Sequence, residues 1–204
     1  MTNNSTPTKK GTFLANVRTN KQIGRRFYRL RLEFSGAGAE AFASTKAGQF
    51  AQLDLSRTAL PAANVIPEHL ADAARRNILL RRPFSFASVT AEGNKTSADV
   101  LYCIVGPASL RMTTLSAGDS LSIIGPLGNG FLVPEGKQKA LLVAGGMGAG
   151  PLQHLAKLLT ADYPDIDVMA FAGAKTAKEL PFEARLDEIS QQLGFSIRSS
   201  PSME

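Results

Sequence analysis

Arg81-Arg82-Pro83-Phe84-Ser85-Phe86, with Gly106-Pro107-Ala108-Ser109 further along, is the stretch on which the reading of this chain turns. Alternate residues of a strand project from one face, so Arg82 and Phe84 share a face while Ser85 stands near the rim. A guanidinium suits a diphosphate, a phenyl ring packs on a flat ring system, and a serine hydroxyl bonds a heteroatom. Together they can serve one large ligand. Alone, the segment would also read as an ordinary edge strand with two solvated arginines. Its combination with the second element and with a glycine loop near residue 148 favours the ligand.

Working outward, the flanking sequence reads as antiparallel sheet. Tyr28, Leu30, Leu32 and Phe34 alternate with Arg29, Arg31 and Glu33, the period-2 pattern of a half-buried strand. Phe13, Ala15 and Val17 alternate in the same way, as do Ala51, Leu53 and Leu55 after a turn at Ala47-Gly48. Val100 to Val105 is apolar on both faces, which suits a barrel strand with a ligand or another element outside it. Leu121 to Ile124 follows the turn Ala117-Gly118-Asp119. Short strands divided by turn signals predict a closed antiparallel barrel over 11–133. Residues 57–77 form an insertion, with Pro67 to Ala74 reading as a short helix that opens on proline. It covers part of the ligand or is a surface excursion.

The period changes after the breaker-rich linker Pro134-Glu135-Gly136-Lys137-Gln138. Ala140 to Ala144 reads as a buried parallel strand that runs into Gly145-Gly146-Met147-Gly148-Ala149-Gly150-Pro151. Leu152, Leu155, Ala156 and Leu159 then recur at helical spacing. Val168 to Ala172 is a second strand, Phe182, Leu186, Ile189 and Leu193 mark a second helix, and Phe195 to Ile197 begins a third strand. The run predicts part of a doubly wound α/β domain over 138–204. A glycine loop between strand and helix lets backbone approach a diphosphate at the helix N-terminus. Pro151 fits the first helical turn. Packing without a ligand is the plainer alternative. The polar ends, 1–10 and Ser199-Ser200-Pro201-Ser202, read as frayed tails.

Composition narrows the class. A chain of 204 residues with 44% hydrophobic and 20% charged residues is long enough for real cores. No apolar run approaches the roughly 20 residues that span a bilayer. One cysteine, Cys103, excludes an internal disulfide and fits a reducing cytoplasm. The net charge of +6 comes with arginines spread along strands, such as Arg25, Arg26, Arg29 and Arg31. No nucleic-acid motif accompanies them, so a solvated basic face is expected. His69 and His154 are isolated, and the sequence holds no paired carboxylates, nucleophile elbow or metal-ligand spacing. No catalytic side chain or metal site is therefore assigned; chemistry would reside in a cofactor that the protein positions.

The Arg82-Pro83-Phe84-Ser85 segment resembles the flavin signature of the ferredoxin–NADP reductase family, and Gly106 to Ser109 resembles its second flavin element. Gly145-Gly146-x-Gly148-x-x-Pro151 resembles that family's nicotinamide loop. Ala47-Gly48-Gln49-Phe50, the Arg81 to Ser85 run, and Gly125-Pro126-Leu127-Gly128-Asn129-Gly130-Phe131 together resemble the electron-transfer subunits of bacterial dihydroorotate dehydrogenases. That resemblance implies an antiparallel Greek-key barrel for FAD, an incomplete nucleotide domain for NAD(P)H, and an oxidoreductase that relays electrons. The flavin would be held by Arg82, Pro83, Phe84, Ser85, Gly106, Ala108 and Ser109, with Leu101, Tyr102 and the backbone of Cys103 lining it. Gly145, Gly146, Gly148 and Pro151 would hold the nicotinamide nucleotide, NAD or NADP. The implied partner is a flavin-containing catalytic subunit in orotate synthesis, with no nucleic acid and no membrane span. Two departures stand out. Gly106-Pro107-Ala108-Ser109 replaces the usual Gly-x-Gly-Thr, and the 2Fe–2S centre expected of the family finds no cysteine ligands here. A stand-alone reductase-like module, or an interaction subunit without a redox role, are the alternatives.

Overall fold

Alternating apolar residues along the first two thirds of the chain close into a six-stranded antiparallel barrel. The computed structural model describes residues 10–174 and the strand Ile197–Pro201. The barrel strands are β1 (Gly11–Gln22), β2 (Phe27–Ser35), β3 (Phe50–Leu53), β4 (Arg82–Glu92), β5 (Lys95–Cys103) and β6 (Ser120–Leu127). They follow the order β1-β2-β5-β4-β3-β6, so neighbours are not always consecutive in sequence, as in a Greek key. Every strand is paired on both sides, which removes the exposed edge that open sheets carry.

The inward residues build one core around Leu30, Leu32, Phe34, Phe42, Leu53, Phe86, Val100 and Ile123, all fully buried. Phe42 stacks on Phe34 at 3.9 Å and meets Phe13 and Phe86 edge-on, both at 5.8 Å. It comes from α1 (Gly36–Ala43), a small-residue helix that the strand patterns do not disclose. The 57–77 insertion contains a short turn at Glu68–Leu70 and then α2 (Ala71–Ala74), with Pro67 just before. Arg111, on α3 (Pro107–Met112), donates to the carbonyls of Thr58 and Ala74 and so ties the insertion to that helix.

The second region is a parallel sheet, β7 (Lys139–Gly145), β8 (Asp167–Ala174) and β9 (Ile197–Pro201), in that order. Helix α4 (Ala149–Asp162) covers one face, where Leu142, Leu155, Ala156, Leu159 and Val168 are buried together. Among the described residues, no helix is long and apolar enough to cross a membrane.

Three expectations need correction. Ser199, Ser200 and Pro201 belong to β9, because their backbone continues the parallel ladder to Gly173 and Ala174 instead of fraying. The strand at Ala140–Ala144 is buried on one face only; Leu141 and Val143 are 64% and 68% exposed. The basic face is also not simply solvated. Arg29 is buried, and Arg31 makes two bonds to the buried Asp99 carboxylate at 2.8 and 2.9 Å. The tail 1–9 and the helix read from Phe182 to Leu193 lie outside the described residues.

Candidate functional site

Arg81 and Arg82 divide their work. Arg81 donates to the Ser122 carbonyl at 2.6 Å and the Ser122 hydroxyl at 2.9 Å, with Asp54 at 3.6 Å, so it is structural. Among the described residues, the Arg82 guanidinium has neither hydrogen bond nor ion pair. It is only partly exposed, at the end of β4 opposite Leu53. A half-covered cation with no protein counter-charge is suited to an anion brought from outside. Phe84 is half-buried against the barrel core, and Ser85, on the other face, is half-buried beside Phe50 in the ladder.

The second element does a different job from the one its hydroxyl suggested. Ser109 Oγ accepts from the backbone N–H groups of Val105 and Gly106 at 3.0 and 3.2 Å, and donates to the Gly106 carbonyl at 3.1 Å. Ser109 and Ala108 are buried, so the serine locks the loop instead of reaching outward. Gly106 stays bare: a Cβ there would meet nothing within 4 Å. Ala108 lies in the first turn of α3 and packs on the barrel core.

Leu101 and Tyr102 spend their side chains on packing. Leu101 lies with Ala87 and Ala149 in a small cluster between barrel and α4. Tyr102 is in the core, stacked on Tyr28 at 5.3 Å, with its hydroxyl on Asn20 Oδ1 at 3.1 Å. Burial pushes the Tyr102 phenol far up, so it stays protonated. Cys103 is buried and can offer a ligand its backbone alone.

The glycine loop arrives beside these strands. Gly145 ends β7, Gly146–Gly148 make one tight turn, and α4 begins at Ala149. Added Cβ atoms at Gly145, Gly146 or Gly148 would meet nothing within 4 Å. Gly150 is different, since its Cβ would touch Leu101 at 3.6 Å and Ala87 at 3.9 Å. The start of α4 therefore rests on β4 and β5, the strands that carry Phe84, Ser85 and Cys103. Pro151 sits in the first turn, half-buried.

Several contacts escape the sequence reading. Gln49 donates to the Gly128 carbonyl at 2.8 Å and accepts from the Lys46 N–H at 2.8 Å, while the Phe131 N–H donates to the Ala47 carbonyl at 2.7 Å. Thus Ala47–Phe50 and Gly125–Phe131 form one lock below the domain junction. Gly48, at φ +92°, faces Phe131 so closely that a Cβ would stand 2.8 Å from its ring. Asp99 is held by Arg31, Arg29 and the Ser88 hydroxyl. Burial would raise its carboxyl, but these donors and charges hold it below the ordinary range. On α4, burial holds the His154 imidazole below its usual value, and Lys157 adds to this. Paired neighbours across strands are invisible until the register is known.

No protein-family model matches the chain. The cytochrome P450 reductase of Amycolatopsis superposes with a TM-score of 0.68 at 24% identity, covering 97% of this chain and 53% of that one. The flavohem-like FAD/NAD-binding domain of nitric oxide dioxygenase from Vibrio cholerae superposes at 0.69 with 17% identity, covering 96% and 76%. The described residues thus carry the fold of the ferredoxin–NADP reductase-like flavin reductases. Within that class, the chain is related in sequence to the electron transfer subunits of dihydroorotate dehydrogenase B (NAD(+)). The subunit from Bacillus velezensis is 32% identical over 169 residues, 82% of this chain and 56% of that protein. The chain spans little more than half the length of the relatives it matches.

Proposed function

We propose that this chain binds FAD on the barrel of residues 11–133 and a nicotinamide nucleotide on the region 138–204, and relays electrons to a flavin-containing partner. The observation that carries the reading is the Arg82 guanidinium, which is without a counter-charge among the described residues while its neighbour Arg81 is fully engaged. Arg82 would hold the diphosphate, with the bare backbone at Gly106 and the first turn of α3 at Ala108 beside it. Phe84 and Pro83 would line the ribityl and ring region, and Ser85 and the Cys103 backbone the ring edge. Leu101 and Tyr102 act from behind, by fixing the strands. The groups present fit a flavin. Bound flavin supplies the ability to accept a hydride and pass electrons onward singly.

The chain's own residues do the positioning. Gly145, Gly146 and Gly148 leave backbone open to a diphosphate, and Pro151 pre-sets the first turn of α4. Because Gly150 rests on Leu101 and Ala87, the nicotinamide loop is fixed against the flavin strands, and geometry of this kind is worth much of a rate. The residues do not fit a 2Fe–2S centre, since Cys103 is the single cysteine and is buried in the barrel.

The relatives are named electron transfer subunits of dihydroorotate dehydrogenase B (NAD(+)). The partner that fits this reading is that enzyme's dihydroorotate-oxidising subunit, with a role in orotate synthesis, and a cytoplasmic location belongs to the same proposal. The test is FAD titration followed by anaerobic NADH. Wild-type protein binds FAD, Arg82→Ala weakens it by about 1–3 kcal/mol, and NADH bleaches the flavin band, faster once the partner is added. Loss of neither affinity nor bleaching on Arg82→Ala would sink the assignment.

A further inference from the structure

Helix α4 is held from two opposite sides. Leu152, Leu155, Ala156 and Leu159 pack it on the sheet, whereas Gly150 rests on Leu101 and Ala87 of the barrel. His154 follows Gly150 by four residues, so it stands one turn further along the barrel-facing side. It is 8% exposed, and β4 is the barrel strand against which α4 packs. Its Nδ1 is buried and has no hydrogen-bond partner.

The contact between helix and barrel is small. Ala87, Leu101 and Ala149 are buried in it, with Ile23, Ala144 and Met147 partly buried around them. A neutral imidazole carries one ring N–H and the imidazolium carries two, so a protonated ring would bury an Nδ1–H without an acceptor. The charges on the elements packed against His154 do not offset that proton. β4 carries Arg82 and Glu92 at its two ends, β7 begins with Lys139 and β8 with Asp167; the glycine turn carries no charge, and α4 itself adds Lys157 and Asp162. Lys157 acts on His154 and has the same sign as the added proton, so it opposes protonation. Water reaches Nδ1 when α4 lifts from β4.

We infer that His154 is a positioning residue that makes the contact of α4 with the barrel proton-operated: its neutral ring keeps the glycine loop seated on β4 and β5, and a proton on the ring releases it. The seated contact disfavours the proton. As pH falls below 6.5, each unit therefore moves the balance toward release by up to about tenfold, until the seated ring itself titrates.

The first readout needs no cofactor. Amide hydrogen exchange at residues 149–153, corrected for intrinsic rates, is compared at about pH 7.5 and about pH 5.5. The samples are the full 204-residue chain, His154→Gln, His154→Leu and, as a control, His69→Gln in the exposed insertion. In wild type and the control, exchange should speed up about tenfold in acid; in both His154 variants it should change by less than about twofold. The second readout rests on the flavin reading above. With FAD bound, the same acid step should slow flavin reduction by NADH about tenfold more in wild type than in the His154 variants, at unchanged FAD affinity. Equal acid responses in wild type and the His154 variants, or loss of the response in His69→Gln, overturn the inference. Should both His154 variants fail to fold, NMR of the wild-type ring decides: titration at about 6.5 with no change in exchange overturns it. A chain that takes up no FAD overturns the flavin reading alone, and exchange still decides the role of His154.

Discussion

The barrel and the parallel sheet solve the same problem with unequal means. In the barrel each strand has two partners, and one continuous core fills the inside. In the sheet, β7 and β8 present one face to α4 and leave Leu141, Val143 and Met169 exposed on the other. The barrel is closed by its own residues; the sheet is anchored mainly by α4, which touches both regions. The glycine loop at residues 145–151 therefore inherits its position from the barrel, through Gly150 on Leu101 and Ala87. The closed barrel can in this way orient the loop at the start of α4.

The sharpest way to break the contrast is to empty the barrel core. Phe42 is fully buried and touches three other rings. Phe42→Ala should cost about 3–5 kcal/mol in denaturant unfolding, the usual cost of an aromatic cavity. If the two regions are coupled through α4, both lose structure in one transition; two separated transitions would show that the sheet stands alone.

Next comes the buried charge. Asp99→Ala leaves Arg31 without its bidentate partner and should cost about 1.5–3 kcal/mol. The pH dependence has a definite sign. A carboxyl whose folded pKa is depressed binds fewer protons folded than unfolded, so its contribution is complete above the unfolded value of 3.8 and is lost as pH falls through the folded one. His154, also depressed in the fold, behaves with the same sign from a higher starting point. Its contribution is full above 6.5 and declines as pH drops below that value. His154→Gln should flatten the slope of stability against pH just below 6.5, and Asp99→Ala the slope in the acid range below 3.8. Unchanged slopes in both variants would refute the assignment.

These residues also mark how far the sequence alone can be read. The barrel strands were legible because Leu30, Leu32 and Phe34 alternate with charged neighbours, and period 2 is a local signal. The Arg81 to Ser85 segment stands out in the sequence because its candidate chemistry is carried by adjacent residues. Arg29 and Arg31 were misread as solvated, since their partner Asp99 lies on another strand and only the β2–β5 register brings it opposite. Helix α1 was missed because Gly36 to Ala43 has too few large side chains to show a period. The role of Ser109 differed because a hydroxyl reads alike whether it faces a ligand or its own loop. β9 was misjudged since Ser199 and Ser200 hold their place by ladder bonds, not by apolar side chains.

A smaller effect separates packing glycines from open ones. Gly148 has right-handed helical geometry and nothing near its Cβ position, so Gly148→Ala should leave stability unchanged or raise it by about 0.4–1 kcal/mol. NADH affinity should fall, because the methyl group stands where a diphosphate would approach. Gly150→Leu should do the reverse, weakening the contact of α4 with the barrel. Equal behaviour of the two variants in melting and in NADH titration would remove the distinction between them.

The smallest effect is expected on the bare face of the sheet. Leu141 and Val143 are 64% and 68% exposed, so little apolar contact is lost when they change. Val143→Thr keeps the branched shape that suits a strand and adds one hydroxyl in solvent. Its unfolding free energy should stay within about 0.5 kcal/mol of wild type, the range of ordinary surface substitutions. The corresponding change inside the same strand, Leu142→Ala, removes a side chain packed against Leu155 and Leu159 and should cost about 2–5 kcal/mol. The ratio of the two losses measures how one-sided the sheet is. A loss at Val143 comparable to that at Leu142 would mean that this face is covered in solution. The contrast between closed barrel and half-open sheet would then no longer hold.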